Sequence, residues 1–302
     1  MGDKNRGRSK SKKRRGAKRS PATIVWLVAA LVVIAIAGMF LFKGSGKSSG
    51  ASTSPTNPAS GSASGGGISA AVIGDITDVP AATLAAAGAG GSEIRVPAKL
   101  PASTAALTAN GKPEIVYVGA EYCPYCAGER WPLVQALTRF GTFSNLSPTT
   151  SGAAPEAYPD TPTFTFVGST FTSSYITFTP VEIADRTGQP LQQMTADQQQ
   201  LLKVYDAPPY VPASSKNAIP FLDIGGVYLQ TGSAFGVELL QGMSLEQIAG
   251  SLASSSSKTG QAIDASANLM TAAICEVTSG QPAAVCTAPG VVAATQRLAT
   301  GK

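Results

Sequence analysis

The chain has 302 residues, with 32 Gly, 21 Pro, 4 Cys and no His, a length that suits one large domain or two small ones. Without His there is no Ser-His-Asp triad, no Cys-His protease pair and no His-ligated metal, and Ala127 after Cys126 rules out the haem-attachment pattern. The net charge of +5 is segregated: residues 1–20 hold ten Lys or Arg and one Asp, while residues 21–302 hold 13 basic and 17 acidic side chains.

Taken alone, the basic run Lys4–Ser20 reads as a nucleic-acid arm or a nuclear signal. Pro21–Phe42 follows at once, with no charge in 22 residues. As a helix that segment spans roughly 33 Å, enough to cross a bilayer. A basic block beside an apolar span is better read by the positive-inside rule. The expected layout is a single-pass cell-membrane protein with a cytoplasmic tail (1–20), an anchor in the lipid bilayer (21–42) and an extracytoplasmic remainder. No nucleic-acid partner is expected. The alternative is a cleavable signal peptide, since Ala35-Ile36-Ala37 has a small-X-small cleavage pattern. The apolar run continues through Phe42, which favours an uncleaved anchor. Residues 43–67 are almost all Gly, Ser, Ala, Thr and Pro and read as a flexible linker. Function is therefore expected in residues 68–302.

That remainder reads as mixed α/β. Glu114–Gly119 is a short β-branched run after the turn signal Asn110-Gly111 and predicts a buried strand. A helix is expected from Cys123 to about Phe140, with Trp131, Val134 and Leu137 on one face, kinked at Pro132 and ended by Gly141. Thr163–Ile183 alternates twice and predicts two paired strands, with Phe164 and Phe166 on one face of the first and Ile176 and Phe178 on one face of the second. Thr195 with Gln198, and Ser244 with Gln247, form capping boxes that open two helices, and Met243 is placed to staple onto Ile248. Between them, Ala218–Phe235 reads as strand, Gly225-Gly226 turn, strand. Ile263, Ala267, Met270, Ile274 and Val277 form a last helical stripe that stops at Gly280.

The pair Cys123 and Cys126, separated by Pro124 and Tyr125, allows three readings. A structural staple this short restricts the unfolded chain little. A zinc site would need Cys275 and Cys286 to join them, and ten residues between those two do not make a tight knuckle. Redox chemistry explains every part. The strand delivers Cys123 to a helix N-terminus, where free N–H groups and the helix dipole favour the thiolate. Cys123 is then the exposed nucleophile, and Cys126, one turn on and shielded, resolves the mixed disulfide. Pro124 is tolerated in the first turn, and Pro124 and Tyr125 help set the balance of thiol and disulfide.

The stretches YVGAEYCPYCAGERWPL, RFGTF, YITFTPVEI, IPFLDIGG and AICEVTSGQPAAVC, in that order, resemble an uncharacterised thioredoxin-like family. Its members are anchored, exported bacterial and archaeal proteins, catalogued as a domain of unknown function. The resemblance covers most of residues 68–298. It implies a thioredoxin-like mixed sheet flanked by helices, preceded here by one transmembrane helix. It also implies that Pro220 is a cis proline opening a late strand, and that Ile219 offers its backbone to an extended substrate. Residues 127–219 are longer than a minimal thioredoxin needs and imply an insertion. Thioredoxins use a buried acid to handle the proton of the second cysteine; Glu129 is near in sequence, but a solvated Glu129 is the alternative.

The expected function is a membrane-tethered, extracytoplasmic thiol–disulfide oxidoreductase exchanging disulfides with exported Cys-containing proteins. A membrane redox partner, for instance a quinone-linked one, would reset the pair, with no cofactor and no metal. The alternatives are an inactive thioredoxin-like binding module of the cell envelope and a thiol redox sensor. Cys275 lies on the last turn of its helix, and Gly280 and Pro282 turn the chain back toward Cys286. A structural disulfide is expected there, with a second redox relay as the alternative.

Overall fold

The computed structural model describes Met1, Gly2 and residues 67–301. The expected tail (1–20), the expected anchor (21–42) and the expected linker (43–67) lie almost wholly outside the described residues. Among the described residues no single helix is long and apolar enough to cross a membrane. In chain order the elements are α1 (Ala70–Thr77), α2 (Ala81–Ala87), β1 (Ala98–Lys99), β2 (Thr108–Ala109), β3 (Lys112–Gly119), α3 (Pro124–Leu137), β4 (Gly141–Ser144), β5 (Ser147–Thr150), β6 (Pro162–Thr165), β7 (Thr170–Ser173), β8 (Thr177–Glu182), α4 (Ala196–Tyr205), β9 (Phe221–Ile224), β10 (Tyr228–Thr231), α5 (Leu245–Ser251), α6 (Lys258–Val277), α7 (Ala283–Cys286) and α8 (Pro289–Thr300).

The fold is mixed α/β, built on a mixed sheet with β3 at its centre. Asn110 and Gly111 both take positive φ, 52° and 73°, and turn β2 back onto the start of β3. β8 runs parallel to β3, from Glu114 opposite Thr177 to Gly119 opposite Glu182. β9 runs antiparallel on the other side, and the order continues through β10 to β1. Both faces of β3 are covered, so its run is apolar without a polar side. Ile115 and Tyr117 face the larger core, with α3 and α6. Val116 and Val118 face a smaller core that Leu201, Leu202 and Tyr205 of α4 help to close.

The Cys helix departs from the expected single apolar face. Every residue of α3 except Tyr125 is buried, because the helix is packed on all sides. Gln135 reaches Asp264 on α6 at 2.7 Å, Trp131 Nε1 donates to the Pro162 carbonyl at 3.0 Å, and Ala127 O accepts from Thr163 Oγ1 at 2.8 Å. On a fourth side a Cβ on Gly128 would come within 2.8 Å of Ser233 Oγ, so the close approach there needs glycine. The helix runs through Pro132 and ends at Leu137; Gly141 opens β4 instead of capping α3.

The Thr163–Ile183 stretch also corrects the expectation. It forms three strands in three sheets: β6 pairs with β5, β7 with β4, and β8 with β3. The alternation was real, because Phe164, Phe166 and Ile176 are buried in the core. It could not reveal that each strand pairs with one outside the stretch. The ring centroid of Phe166 lies 5.0 Å from that of Phe178, edge-on, and 6.0 Å from that of Phe143, and Phe143 lies 4.9 Å from Phe171, so packed rings join the small sheets to β8.

Both capping boxes form, at Thr195–Gln198 and Ser244–Gln247. Met243 is half-buried against the cluster that contains Ile248. Gly225 and Gly226, with φ of 67° and 70°, link β9 to β10. Ile263, Ala267, Met270 and Ile274 are wholly buried on α6. At its end the Gly280 N–H donates to Cys275 O at 2.7 Å, with Gly280 at φ 77°. Cys275 is bonded to Cys286, eleven positions on. A loop of that size stabilises the fold by about 3 kcal/mol. The double replacement Cys275→Ser with Cys286→Ser is expected to lower the melting temperature by roughly 5–10 °C while leaving the alkylation rate of Cys123 unchanged. A changed alkylation rate of Cys123 without a shift in melting would instead couple this pair to Cys123 and favour the relay.

Candidate functional site

β3 ends at Gly119, and Ala120–Tyr122 carry the chain into Cys123, the N-cap of α3. Pro124 follows as the first helical residue, where no intrahelical N–H is lost. The Cys126 N–H donates to Cys123 Sγ at 3.3 Å, so the sulfur takes the place of a capping oxygen. Across the site, Cys123 Sγ lies 3.8 Å from the Ile219 carbonyl oxygen, within reach of a weak thiol–carbonyl hydrogen bond. The Ile219–Pro220 peptide is cis, and Pro220 leads directly into β9 beside β3. Both Cys123 and Cys126 are free thiols. Since Cys275 and Cys286 bond to each other, no four-thiolate set is left to hold zinc.

The two thiols are made unequal. The Cys126 thiol donates to Cys123 and, against the effect of burial, pulls the Cys123 pKa below that of an ordinary thiol; the Cys126 and Tyr125 N–H groups and Arg130 add to this. Burial pushes the Cys126 pKa well up, and the negative charge of Cys123 pushes it further. Cys123 was expected to be exposed; it is 5% exposed, packed with Tyr122, Ile183 and Ile219. It is still the more accessible sulfur, since Cys126 is at 0%. Tyr125, between them, is 44% exposed and meets the ring of Tyr158 edge-on at 6.0 Å. The Gly152 N–H also donates to Tyr122 O at 2.8 Å, so the long segment after α3 buttresses the motif loop. Tyr125 and Ile219 line a cleft of about 500 Å³, together with Arg95, Phe235 and Glu238.

Arg130 and Glu182, a charged pair beneath the cysteines, are the main features that the sequence did not place. Arg130, one turn beyond Cys126, forms a two-pronged pair with Glu182 at 2.9 and 2.6 Å and also donates to Ala120 O at 2.9 Å. Both side chains are fully buried. Burial works against the Arg130 charge, but the Glu182 carboxylate more than offsets it and keeps the guanidinium protonated. A signal existed: Arg130 stands four residues after Cys126, on the same face, and Glu182 ends the β8 run opposite Gly119.

Glu129, named from the sequence as a candidate buried acid, is not solvated but wholly buried. It accepts from Gln230 Nε2 at 2.5 Å and from the Ala234 N–H at 2.7 Å. Burial drives its pKa to about 8, against the pull of those donors and of Arg95. Burial likewise raises Asp223 and Asp264 to about 6. From pH 4–5 upward the folded protein keeps protons on these groups that the unfolded chain has lost. Their contribution to stability is therefore greatest below about pH 4 and is lost as pH rises, up to about 6 for Asp223 and Asp264 and up to about 8 for Glu129, at up to about 1.4 kcal/mol per pH unit for each group while it titrates. Melting curves across that range should show the fall, and Glu129→Gln should flatten it. A melting temperature that rises with pH would contradict the assignment.

A model of one protein family, described as a domain of unknown function (DUF929), matches residues 99–276. The chain belongs to the DUF929 family. No curated protein and no solved structure matches it. The DUF929 span starts in β1 and stops at Glu276 of α6. It takes in Cys123, Cys126, Arg130, Glu182, Ile219, Pro220 and Cys275, and leaves out Cys286, α7 and α8.

Proposed function

We propose that this chain is a thiol–disulfide oxidoreductase of the thioredoxin-like kind, tethered by residues 21–42 on the outer side of a cell membrane. The observation that carries this reading is Cys123, a helix N-cap sulfur with a lowered pKa, 3.8 Å from the Ile219 carbonyl and backed by a second free thiol one turn on. The strand arrangement supports the thioredoxin-like part: the Cys strand β3 lies beside parallel β8 and the antiparallel β9–β10 hairpin, with a cis proline opening β9.

In the proposed exchange, the Cys123 thiolate attacks one sulfur of a partner disulfide. The partner's other sulfur leaves as a thiolate and takes up a proton. Cys126 then gives up its proton and attacks the Cys123 sulfur, closing the Cys123–Cys126 disulfide and releasing the partner's second thiol. The partner gains two electrons and two protons, and the site loses the same. Run backward, the sequence oxidises a partner dithiol. The partners are exported Cys-containing proteins, and a membrane dithiol–disulfide partner restores the pair.

The test is insulin reduction and reactivation of reduced ribonuclease by the full-length protein in detergent. Turnover that disappears in Cys123→Ser is expected. A second reading, an inactive binding module, is favoured by the 5% exposure of Cys123. Absence of turnover by a folded protein whose Cys123 still alkylates would establish that second reading over the first.

A further inference from the structure

Ile219 is a ridge between two clefts. On its far side from the Tyr125 cleft lies a second, of about 420 Å³. Its apolar lining is the buried Val118 with the half-buried Ile183, Met194 and Leu202. Lys203, in the last turn of α4, and Lys216, on the loop leading to Ile219, also line it, and no carboxylate does. We propose that this cleft docks an extended partner segment in which apolar side chains are flanked by Asp or Glu, next to the cysteine that exchanges with Cys123. The inference rests on the oxidoreductase reading and adds the substrate class to it.

The argument begins with which cations are spare. Among the described residues, Lys99, Arg130 and Arg186 sit in ion pairs with Glu276, Glu182 and Asp160. Arg95 and Lys112 donate to the carbonyls of Thr231 and Ser173, and Arg139 donates to Asn268. Arg297 is bonded to the carbonyls of Ala89 and Ile94. Both lysines of the cleft are exposed, and neither makes a hydrogen bond or an ion pair among the described residues. Lys258 is also exposed and unpaired, but it stands alone, at a cleft that Glu93 and Glu238 also line. Residues 68–302 carry 17 acidic and 11 basic side chains, so two unpaired lysines at one apolar cleft reverse the local sign. Exposed charges act over about 8 Å at physiological salt, so these lysines, not the net charge, govern what seats here.

The chain cannot supply such an occupant from its own N-terminal part. Residues 1–67 contain one acid, Asp3, among the basic residues of the tail. Position ties the cleft to the chemistry, because Ile219 lines it and its carbonyl lies 3.8 Å from Cys123 Sγ. A strand crossing that ridge alternates its side chains, so residues near the reacting cysteine point into the cleft. Apolar side chains then cover Met194 and Leu202, while carboxylates meet the two lysines at the rim. Charges at a rim act mainly on encounter and orientation.

The experiment uses the full-length protein in detergent and three peptides, each with one Cys capped by glutathione and the same apolar residues. The flanking residues are Asp and Glu, Asn and Gln, or Lys. The acidic peptide is expected to exchange roughly fivefold faster than the neutral one, and the lysine peptide to be slowest. The advantage should shrink at about 0.5 M salt. Lys203→Glu with Lys216→Glu should reverse the preference while leaving the reaction of Cys123 with a small disulfide reagent unchanged. Equal rates for the three peptides would overturn the inference and leave the exchange activity standing. The same peptides with Ser for Cys, followed by fluorescence anisotropy, separate the two claims. Lysine-dependent binding of the acidic peptide without any exchange would sink the oxidoreductase reading and keep the docking cleft.

Discussion

Cys126→Ser is expected to trap partner proteins as mixed disulfides through Cys123, and Cys123→Ser to trap almost none. The asymmetry follows from the site. The Cys123 sulfur caps α3, accepts the Cys126 N–H at 3.3 Å and has its pKa lowered, whereas Cys126 is fully buried with its pKa raised. Cys123 therefore carries the thiolate that attacks, and Cys126 can reach only the sulfur already bonded to Cys123. With Ser at 126 the second step has no nucleophile, and turnover should fall by at least about 10³-fold, the scale of removing a catalytic group that acts as part of a unit. Non-reducing gels of cells expressing each variant would show the trapped species. The Cys126 thiol is also the first cause of the lowered Cys123 pKa, so Cys126→Ser should keep part of that effect, because its hydroxyl can still donate. Equal trapping by both variants would assign the nucleophile wrongly.

Much of the site could be read from the sequence because its parts are local. A strand that meets a helix at Cys-Pro-Tyr-Cys needs only a few adjacent residues to be recognised. So do the capping boxes at Thr195 and Ser244, and the Gly225-Gly226 turn. The features missed are those that depend on partners outside the stretch being read. Phe164 and Phe166 alternate as any half-buried strand does, yet β6 pairs with β5 and β8 with β3, choices set by burial across the whole domain. Whether Glu129 is buried or solvated, and that Arg130 is buried at all, depends on α3 being enclosed on every side. The small exposure of Cys123 has the same origin: Ile219 lies 96 residues away along the chain and packs against it only in the folded state.

That buried pair beneath the cysteines gives the second large expected effect. Arg130 and Glu182 are both at 0% exposure, joined at 2.6 and 2.9 Å, with Arg130 Nη2 also on Ala120 O. Glu182→Gln keeps the shape but leaves a guanidinium in the core without its counter-charge. Breaking such a pair from one side costs about 3–5 kcal/mol, which for a domain of this size lowers the melting temperature by roughly 10–15 °C. The double replacement Arg130→Met with Glu182→Leu removes both charges together, and is expected to restore most of that stability. The two variants then separate support of the fold from tuning of the sulfur. Arg130 lowers the pKa of both Cys123 and Cys126. If that field matters to the chemistry, the stable double variant will still alkylate Cys123 more slowly at pH 7, with its pH profile displaced upward. Rates measured with iodoacetamide between pH 5 and 9 would show the displacement, because only the thiolate reacts. A double variant with an unchanged profile would confine Arg130 and Glu182 to holding Ala120 and the end of β8 in place. A displaced profile with normal melting would make Arg130 a residue that acts on the exchange through Cys123.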